Sequence, residues 1–418
     1  MKENKTVEFK ERMTDTFLKT VSAYANYGGG QIFFGVKDDG REVGVEAPTK
    51  FCLNVENKIN DSISPRPDFS LSVKQSTNVV ILHVAEGEDK PYTFRGKAYR
   101  RSDTSSVEVD RLSYNRLVLE GSGKSFEELP SEDQELHFEL LGRYLTDKLE
   151  VSGIDRDILR TLELYDSKNG FNISAALLSD GNGFPGIDAV RFGPSIDEIM
   201  DRRTIEGVSV LRQYEEAVDT FRTYYQYERI DGVERIKVEL VPEKAFREAV
   251  ANAIIHRTWD VNARIRIEMH PDLISVTSPG GLPTGISKDE YLSGRISLLR
   301  NPILGSVFFR LRLIEKLGTG VRRIRAAYKD APVKPEFLVS ENAIQVDLPV
   351  LTSQAAVSGA EQEVITALSG NRMFSSSELS AATGFSKDKV IRIVSALSKK
   401  GIIRTDGRGR GTRYSLRR

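Results

Sequence analysis

Glu248, Asn252 and His256 fall at positions i, i+4 and i+8 of the stretch Val241–Arg257. On a helix that spacing stacks them along one face. A carboxylate can orient a water for attack, and an amide oxygen is a hard ligand of the kind Mg²⁺ takes. An acid and an amide one turn apart can also share a hydrated cation. A solvated helix face has the same spacing, so the surrounding chain must decide between the two. The helix itself is well specified. Pro242 and Glu243 suit its first turn, where a missing N–H costs nothing and a carboxylate meets the helix dipole. Phe246, Ala249, Val250, Ala253 and Ile254 recur every three or four residues and form an apolar stripe away from the polar three.

The elements that follow would hold a ligand against that face. Arg264–Met269 and Leu273–Thr277 read as strands joined by the turn His270-Pro271-Asp272. The glycine-rich loop Ser278-Pro-Gly-Gly-Leu-Pro-Thr-Gly285 comes directly after the second strand and offers Gly280 and Gly281. A second loop, Gly318-Thr-Gly320, follows the apolar helix Pro302–Ile314 and opens another helix, Val321–Tyr328. Glycine lets the backbone approach a ligand closely, and a helix N-terminus presents free N–H groups to phosphate.

Acid/amide helix, strand pair, glycine loop, helix, glycine loop: this order resembles the GHKL ATPases of gyrase, heat-shock, histidine-kinase and mismatch-repair type. Their E-x-x-x-N box is matched by Glu248 and Asn252. The resemblance implies Glu248 as the base, Asn252 as the Mg²⁺ ligand, and ATP held by Gly280, Gly281, Gly318 and Gly320. The family's first glycine box opens with an Asp that anchors adenine; Ser278-Pro279-Gly280 stands there instead. Glu248–Arg257, Ser278–Pro283, Arg300-Asn-Pro302 and Glu315–Gly320 together resemble a divergent branch, the C-terminal region of bacterial regulators labelled RecG-like.

A second signature lies near the N-terminus. Glu3–Lys10 reads as a strand, and Phe17, Val21, Tyr24 and Ala25 form a helical stripe ending at Asn26-Tyr-Gly-Gly-Gly30. The apolar strand Gln31–Val36 follows. Glu8–Lys10, Ala23–Gly29 and Phe34–Val36 resemble the motifs of the Schlafen AlbA-like domain, a resemblance that extends to about Asp110 and implies nucleic-acid binding. Arg95, Lys97, Arg100 and Arg101 run beside Tyr92, Phe94 and Tyr99, the mixture that phosphate contacts and base stacking would use. A β-strand with solvated basic positions would read the same way. Some Schlafen proteins cut RNA with two glutamates five residues apart and a later Asp. Glu3, Glu8 and Asp38 (or Asp39) have that pattern and could hold a divalent metal.

Gly121-Ser-Gly-Lys-Ser125 lacks the Walker spacing and reads as a linker. Helical patterns cover roughly Ser131–Leu149 and Asp155–Leu164, and a long amphipathic helix covers Val210–Tyr225. Beyond a small-residue linker, Glu361–Leu368, Ser376–Ala382 and Ser386–Lys400 read as short helices. Gly384 marks a turn, Ser386 an N-cap, and Ile402–Leu416 a two-stranded wing. Asn371–Arg418 carries 12 Lys and Arg against 3 Asp and Glu in a chain balanced at 60 and 60. Charge so concentrated on a helix–turn–helix pattern points to DNA phosphates. Lys387, Lys389 and Arg392 would lie on the recognition helix, with Arg408, Arg410 and Arg413 in the wing.

At 418 residues the chain has room for two or three cored domains. The lone Cys52 and scattered histidines offer neither disulfide nor zinc site, and no apolar run reaches membrane-spanning length. We therefore expect a cytoplasmic α/β multidomain protein. It comprises an AlbA-like module at 1–118, a mixed connecting segment at 119–205, a GHKL-like sandwich at 206–350, a linker at 351–360 and a winged helix at 361–418. The expected role is a homo-oligomeric, DNA-binding transcriptional regulator that binds ATP with Mg²⁺, with RNA as a further partner. The alternatives are a weak ATPase or metal nuclease acting on nucleic acid, and an ATP-independent adaptor that uses the sandwich as a scaffold.

Overall fold

The computed structural model describes residues 2–150, 153–231, 233–283, 285–294, 298–314, 318–351, 359–368, 373–399, 402–407 and 411–416. The chain divides after Leu129 into two units, taken separately below.

In the first unit, strand β1 (Val7–Lys10) pairs in parallel with β2 (Gly30–Phe34) across helix α1 (Thr16–Asn26). The apolar stripe expected from the sequence is what α1 buries: Phe17, Val21, Tyr24 and Ala25 are all inside. Helix α2 (Pro48–Ser62) sets Val55 and Ile59 into the same core. Strands β3 (Phe69–Lys74) and β4 (Val79–Val84) complete a sheet of order β1-β2-β4-β3. Asn26 explains its own motif. Its side-chain oxygen accepts from the Tyr92 N–H and its amide donates to the Tyr92 carbonyl, both at 2.8 Å, so a buried side chain replaces a strand partner. A hairpin of β5 (Tyr99–Ser102) and β6 (Ser105–Glu108) packs on α1. Helix α3 (Arg111–Gly121), capped by Asp110, runs into the stretch expected to be linker.

The second unit opens with helices α4 (Glu139–Leu149), α5 (Arg156–Thr161) and α6 (Ile173–Leu178). The helical pattern expected from Ser131 starts only at Glu139. There the Asp180 carboxylate accepts from the Glu139 and Leu140 N–H groups at 2.6 and 3.0 Å, a cap supplied from a distant loop.

Six strands then form one sheet: β7 (Ile187–Phe192), β8 (Ile199–Ile205), β11 (Ile265–Met269), β12 (Leu273–Pro279), β13 (Glu336–Val339) and β14 (Ala343–Pro349). Their order is β8-β7-β11-β12-β14-β13. Only the β7/β11 pair is parallel. Ile265, Ile267 and Met269 are buried while Arg266 is exposed and Glu268 partly so, the alternation of a sheet covered on one face. The long helix α7 (Val210–Tyr225) forms as expected.

Between α7 and the next helix lies a hairpin absent from the sequence reading, β9 (Gln226–Asp231) with β10 (Glu234–Glu239). Helix α8 (Glu243–His256) packs on β12, with α9 (Lys288–Ser293), α10 (Pro302–Arg310) and α11 (Gly320–Ala327) following in the chain. The result is a two-layer α/β sandwich.

Near the C-terminus, helices α12 (Gly359–Leu368), α13 (Ser376–Thr383) and α14 (Lys387–Lys399) share a core with the antiparallel pair β15 (Ile403–Asp406) and β16 (Arg413–Leu416). Ser375 and Glu378 form a capping box for α13, and Gly384 ends it in the left-handed conformation at φ 72°. Among the described residues, no helix is long and apolar enough to cross a membrane.

Candidate functional site

Helix α8 is fixed at both ends before any chemistry is considered. At its start the Glu243 carboxylate is gripped by Arg222 (2.6 Å) from α7, and by Gln226 (2.7 Å) and Lys237 (3.1 Å) from the hairpin. Burial works to raise its pKa, but the donations from Arg222, Gln226 and Lys237 outweigh this and hold it at about 2. At the other end Arg257 is wholly buried. Its guanidinium donates to the carbonyls of Pro185 and Ala263, both at 2.5 Å, and lies 4.3 Å from the Trp259 ring centroid. Asn301 closes the last turn by donating to the Ile255 and Arg257 carbonyls at 2.6 and 2.8 Å. Arg300 donates to the Gly281 carbonyl at 2.8 Å. The Arg300-Asn-Pro302 motif is thus a brace between α8 and the glycine loop.

Held in this way, α8 turns Glu248, Asn252 and His256 toward one cavity. The helical face is not a solvated one: Glu248 is buried, and Asn252 and His256 are half-buried. Gly318 and Gly320 form the opposite wall, and Leu282, Pro283, Ile286, Tyr291 and Leu298 supply apolar lining. Gly320 presses on Asn252. A Cβ at Gly320 would lie 2.3 Å from Asn252 Nδ2, closer than any side chain tolerates. Gly280 and Gly281, expected at the ligand, lie outside the lining. Gly280, at φ 108°, packs where a Cβ would fall 1.9 Å from Thr258 Oγ1, so it is required by the fold. Ser278, where the adenine-anchoring acid was missing, donates its hydroxyl to the Ala253 carbonyl at 2.8 Å and is buried. It stitches β12 to α8.

The cavity amounts to about 50 Å³. Small-molecule sites run to roughly 300–1,000 Å³, so a nucleotide would have to part these walls. His256 is held neutral at physiological pH: burial pushes its pKa down to about 4, helped by the Arg300 cation. Unfolded, the ring takes up its proton as pH falls through about 6.5, while the folded chain resists until about 4. Folding stability should therefore decline across that window, by about 2 kcal/mol between pH 7.5 and 5. Urea denaturation at both pH values should show the decline in the parent and a shallower one in His256→Asn.

The basic run of the first unit divides. Arg95 lies at the surface, 3.3 Å from Asp15, and Lys97 pairs with Glu108 at 2.6 Å. Arg100 is exposed. Arg101 is different: its side chain is 5% exposed and its Nη1 lies 2.5 Å from Glu8 Oε2, with Lys10 2.6 Å from the other oxygen. Glu8 is thereby committed to two cations, and the Glu3 carboxylate accepts from the Phe9 N–H at 2.7 Å. No three acidic, histidine or cysteine side chains among the described residues gather to hold a metal, so Glu3, Glu8 and Asp38 form no such cluster. Tyr92, Phe94 and Tyr99 are buried in the core, which corrects the expected stacking role. Arg101→Ala would leave Glu8 buried beside a lost partner. We expect a stability loss of about 3 kcal/mol, read by thermal denaturation, against little change for Arg100→Ala.

In the C-terminal region Lys387, Lys389 and Arg392 are exposed on α14, while Val390, Ile393, Val394 and Leu397 face inward. Lys389 also lies 3.6 Å from the Phe385 ring centroid. Arg413 pairs with Glu378 at 2.6 Å and so ties β16 to α13. Arg408, Arg410 and Glu315 lie outside the described residues.

With this geometry in place, two family models match. Residues 3–110 match the one described as "Schlafen, AlbA_2". Residues 262–348 match the one described as "Putative ATP-dependent DNA helicase recG C-terminal". The chain carries an AlbA-like and a divergent ATPase-like domain. The second match begins after α8, so Glu248 and Asn252 are placed by geometry and their own box. The crystal structure of the DIP2311 protein from Corynebacterium diphtheriae is similar over 99% of this chain and 92% of that one, at 19% identity and a TM-score of 0.50, a likeness of fold alone. An NMR structure of the N-terminal domain of a RecG-related protein from Nitrosomonas europaea covers 25% of this chain and 80% of that one at 24% identity. Its TM-score of 0.19 carries no weight. No curated protein matches.

Sequence reasoning missed three contributors. In the sequence Arg300 and Asn301 stand out only as part of a motif, and their bracing role needs the α8 terminus in space. Arg323 on α11 lies 3.7 Å from Glu248 and had no signal beyond its place three residues after Gly320.

Proposed function

We propose that this chain is a cytoplasmic DNA-binding transcriptional regulator whose ATPase-like domain binds ATP with Mg²⁺. The observation that carries the nucleotide part is the convergence of Glu248, Asn252, Gly318 and Gly320 on one cavity at the start of α11. Asn252 suits Mg²⁺ as a single protein ligand, because that ion usually completes its shell with phosphate oxygens and water. Glu248 would orient a water, and α11 would present its first N–H groups to the phosphates. Turnover, where it occurs, is slow: Arg323 draws on the Glu248 charge, and no carboxylate at Ser278 fixes the base.

DNA binding is supported by the exposed cations of α14 over a buried apolar stripe, the layout of a recognition helix in a winged helix–turn–helix. The AlbA-like domain is a second nucleic-acid module, for DNA or RNA, with Arg95, Lys97 and Arg100 at its surface. A homo-oligomer would present two such readers to one site. The test is fluorescence anisotropy of labelled duplex DNA with the full chain, with and without ATP·Mg²⁺, across a salt series. A regulator shows salt-dependent duplex binding that shifts with nucleotide. Duplex binding indifferent to nucleotide favours the scaffold reading, which the small cavity and the structural Ser278 hydroxyl support.

A further inference from the structure

Two polar side chains in the cavity wall, Asn252 and His256, hydrogen-bond to no described residue, although both are half-buried. Polar groups in that state bond to whatever fills the space they face, and here the space is the cavity. Their neighbours differ. Asn252 lies against Gly320, the first residue of α11. Glu248, one turn back along α8, lies 3.7 Å from Arg323, three residues further along α11. Helix α11 therefore runs along α8 from the level of Asn252 toward Glu248, and its N-terminus opens toward His256. His256 stands one turn beyond Asn252, about 6 Å along the helix axis. A ligand with its phosphates at the α11 N-terminus beside Asn252 thus extends past His256. Arg300, the cation acting on His256, also holds the Gly281 carbonyl, so the apolar Leu282 and Pro283 wall belongs to this end. An imidazole set in an apolar wall suits the edge of a flat heterocycle. Burial and the Arg300 cation keep that ring neutral, with a pKa of about 4, so it carries one donor and one acceptor. Neither ring nitrogen is committed to a described residue, so the tautomer is free to follow the ligand.

We propose that His256 contacts the base of the bound nucleotide, and that the site takes adenine and guanine nucleoside triphosphates alike. The imidazole accepts from the adenine amino group or donates to the guanine carbonyl, where a carboxylate would accept only. The inference rests on the nucleotide reading above. The base contact then falls to α8, the helix that also carries the proposed metal ligand. Ser278 serves the fold, since its hydroxyl is donated to the Ala253 carbonyl.

The experiment is calorimetric titration of the full chain with ATP·Mg²⁺, GTP·Mg²⁺ and the base-free tripolyphosphate·Mg²⁺, for the parent, His256→Leu and His256→Asn. The parent should bind ATP and GTP within about fivefold of each other. His256→Leu should weaken both nucleotides about tenfold, the yield of one hydrogen bond in a half-buried site, and leave tripolyphosphate within about twofold. His256→Asn, whose amide keeps a donor and an acceptor, should recover most of that loss. A wider separation of ATP from GTP in the parent overturns the assignment while nucleotide binding stands. So does a His256→Leu variant that keeps the parent affinities or loses all three ligands equally. Should His256→Leu fail to fold, the ring resonances of His256, one of four histidines, decide in the parent. They should shift with ATP·Mg²⁺ and GTP·Mg²⁺ but not with tripolyphosphate·Mg²⁺, and the same response to all three overturns the assignment. A parent that binds none of the three removes the nucleotide reading itself, and this inference with it.

Discussion

Asn252→Ala is expected to weaken ATP·Mg²⁺ binding by about a hundredfold, near 2.7 kcal/mol, while binding of ATP in the presence of a chelator changes far less. The difference between the two titrations isolates the metal: a variant that lost packing alone would lose both equally. Gly320→Ala should reproduce the loss from the opposite wall. Its new Cβ would lie 2.3 Å from Asn252 Nδ2, 3.0 Å from Cγ and 3.1 Å from Oδ1, so the amide must rotate away or the start of α11 must retreat. Either movement takes the proposed metal ligand away from the turn proposed to bind phosphate. Melting temperature should fall only slightly, because an alanine at the first helical position is otherwise well accommodated. Calorimetry that finds ATP·Mg²⁺ bound as tightly by both variants as by the parent would remove Asn252 from the site.

Truncation after Val350 is expected to abolish most duplex-DNA affinity. The removed segment holds the exposed Lys387, Lys389 and Arg392 and carries 12 Lys and Arg against 5 Asp and Glu, in a chain balanced at 60 and 60. Each phosphate contact contributes about −0.9 to the log–log salt slope, so a reader with six contacts loses about a thousandfold or more in affinity between 50 and 200 mM salt. The truncated chain should show a correspondingly shallow slope in anisotropy titrations. Within the full chain, Arg408→Ala and Arg410→Ala should weaken binding alike on every sequence. Arg392→Ala should change which sequences are preferred, since it is exposed on α14, the helix proposed to meet base edges. Arg413→Ala belongs to a different class. Its partner is Glu378, so its loss should loosen β16 from α13 and lower stability first. A truncated chain that binds duplex as tightly as the full one across the salt series transfers the role to the surface around Arg100.

Periodicity made the long elements legible. Helix α7 ends where the amphipathic pattern ends, and α8 carries its stripe inward and its polar three toward the cavity. Both depend on local spacing, which the chain writes directly. Most of the failures involve partners distant in sequence. The α4 start is decided by Asp180, 41 residues from Glu139. Arg101 reads as a surface cation in a basic run until Glu8, brought to it by the fold, claims it. Gly280 and Gly281 have the composition of a phosphate loop, but Thr258 and Glu341 explain the absence of side chains there without a ligand. The hairpin β9–β10 was missed because its strands alternate charged with apolar residues on both exposed faces, leaving no buried stripe to detect. Glu248 and Asn252 were found because a helix places i and i+4 together. Arg323 was not, because only the packing of α11 on α8 brings it there.

The burial of Arg257 sets an order on events during folding. A guanidinium cannot leave water until its donors have somewhere to go, and here the acceptors are the backbone carbonyls of Pro185, Gly186 and Ala263. Pro185 lies 72 residues earlier in the chain, so the contact closes a long loop whose entropy must be lost before the bonds are gained. The end of α8 can therefore go dry only when the segment entering β7 and the segment leaving α8 arrive together. The sandwich should close around this residue late and in one concerted step, and substitutions at Arg257 should speed unfolding far more than they slow folding.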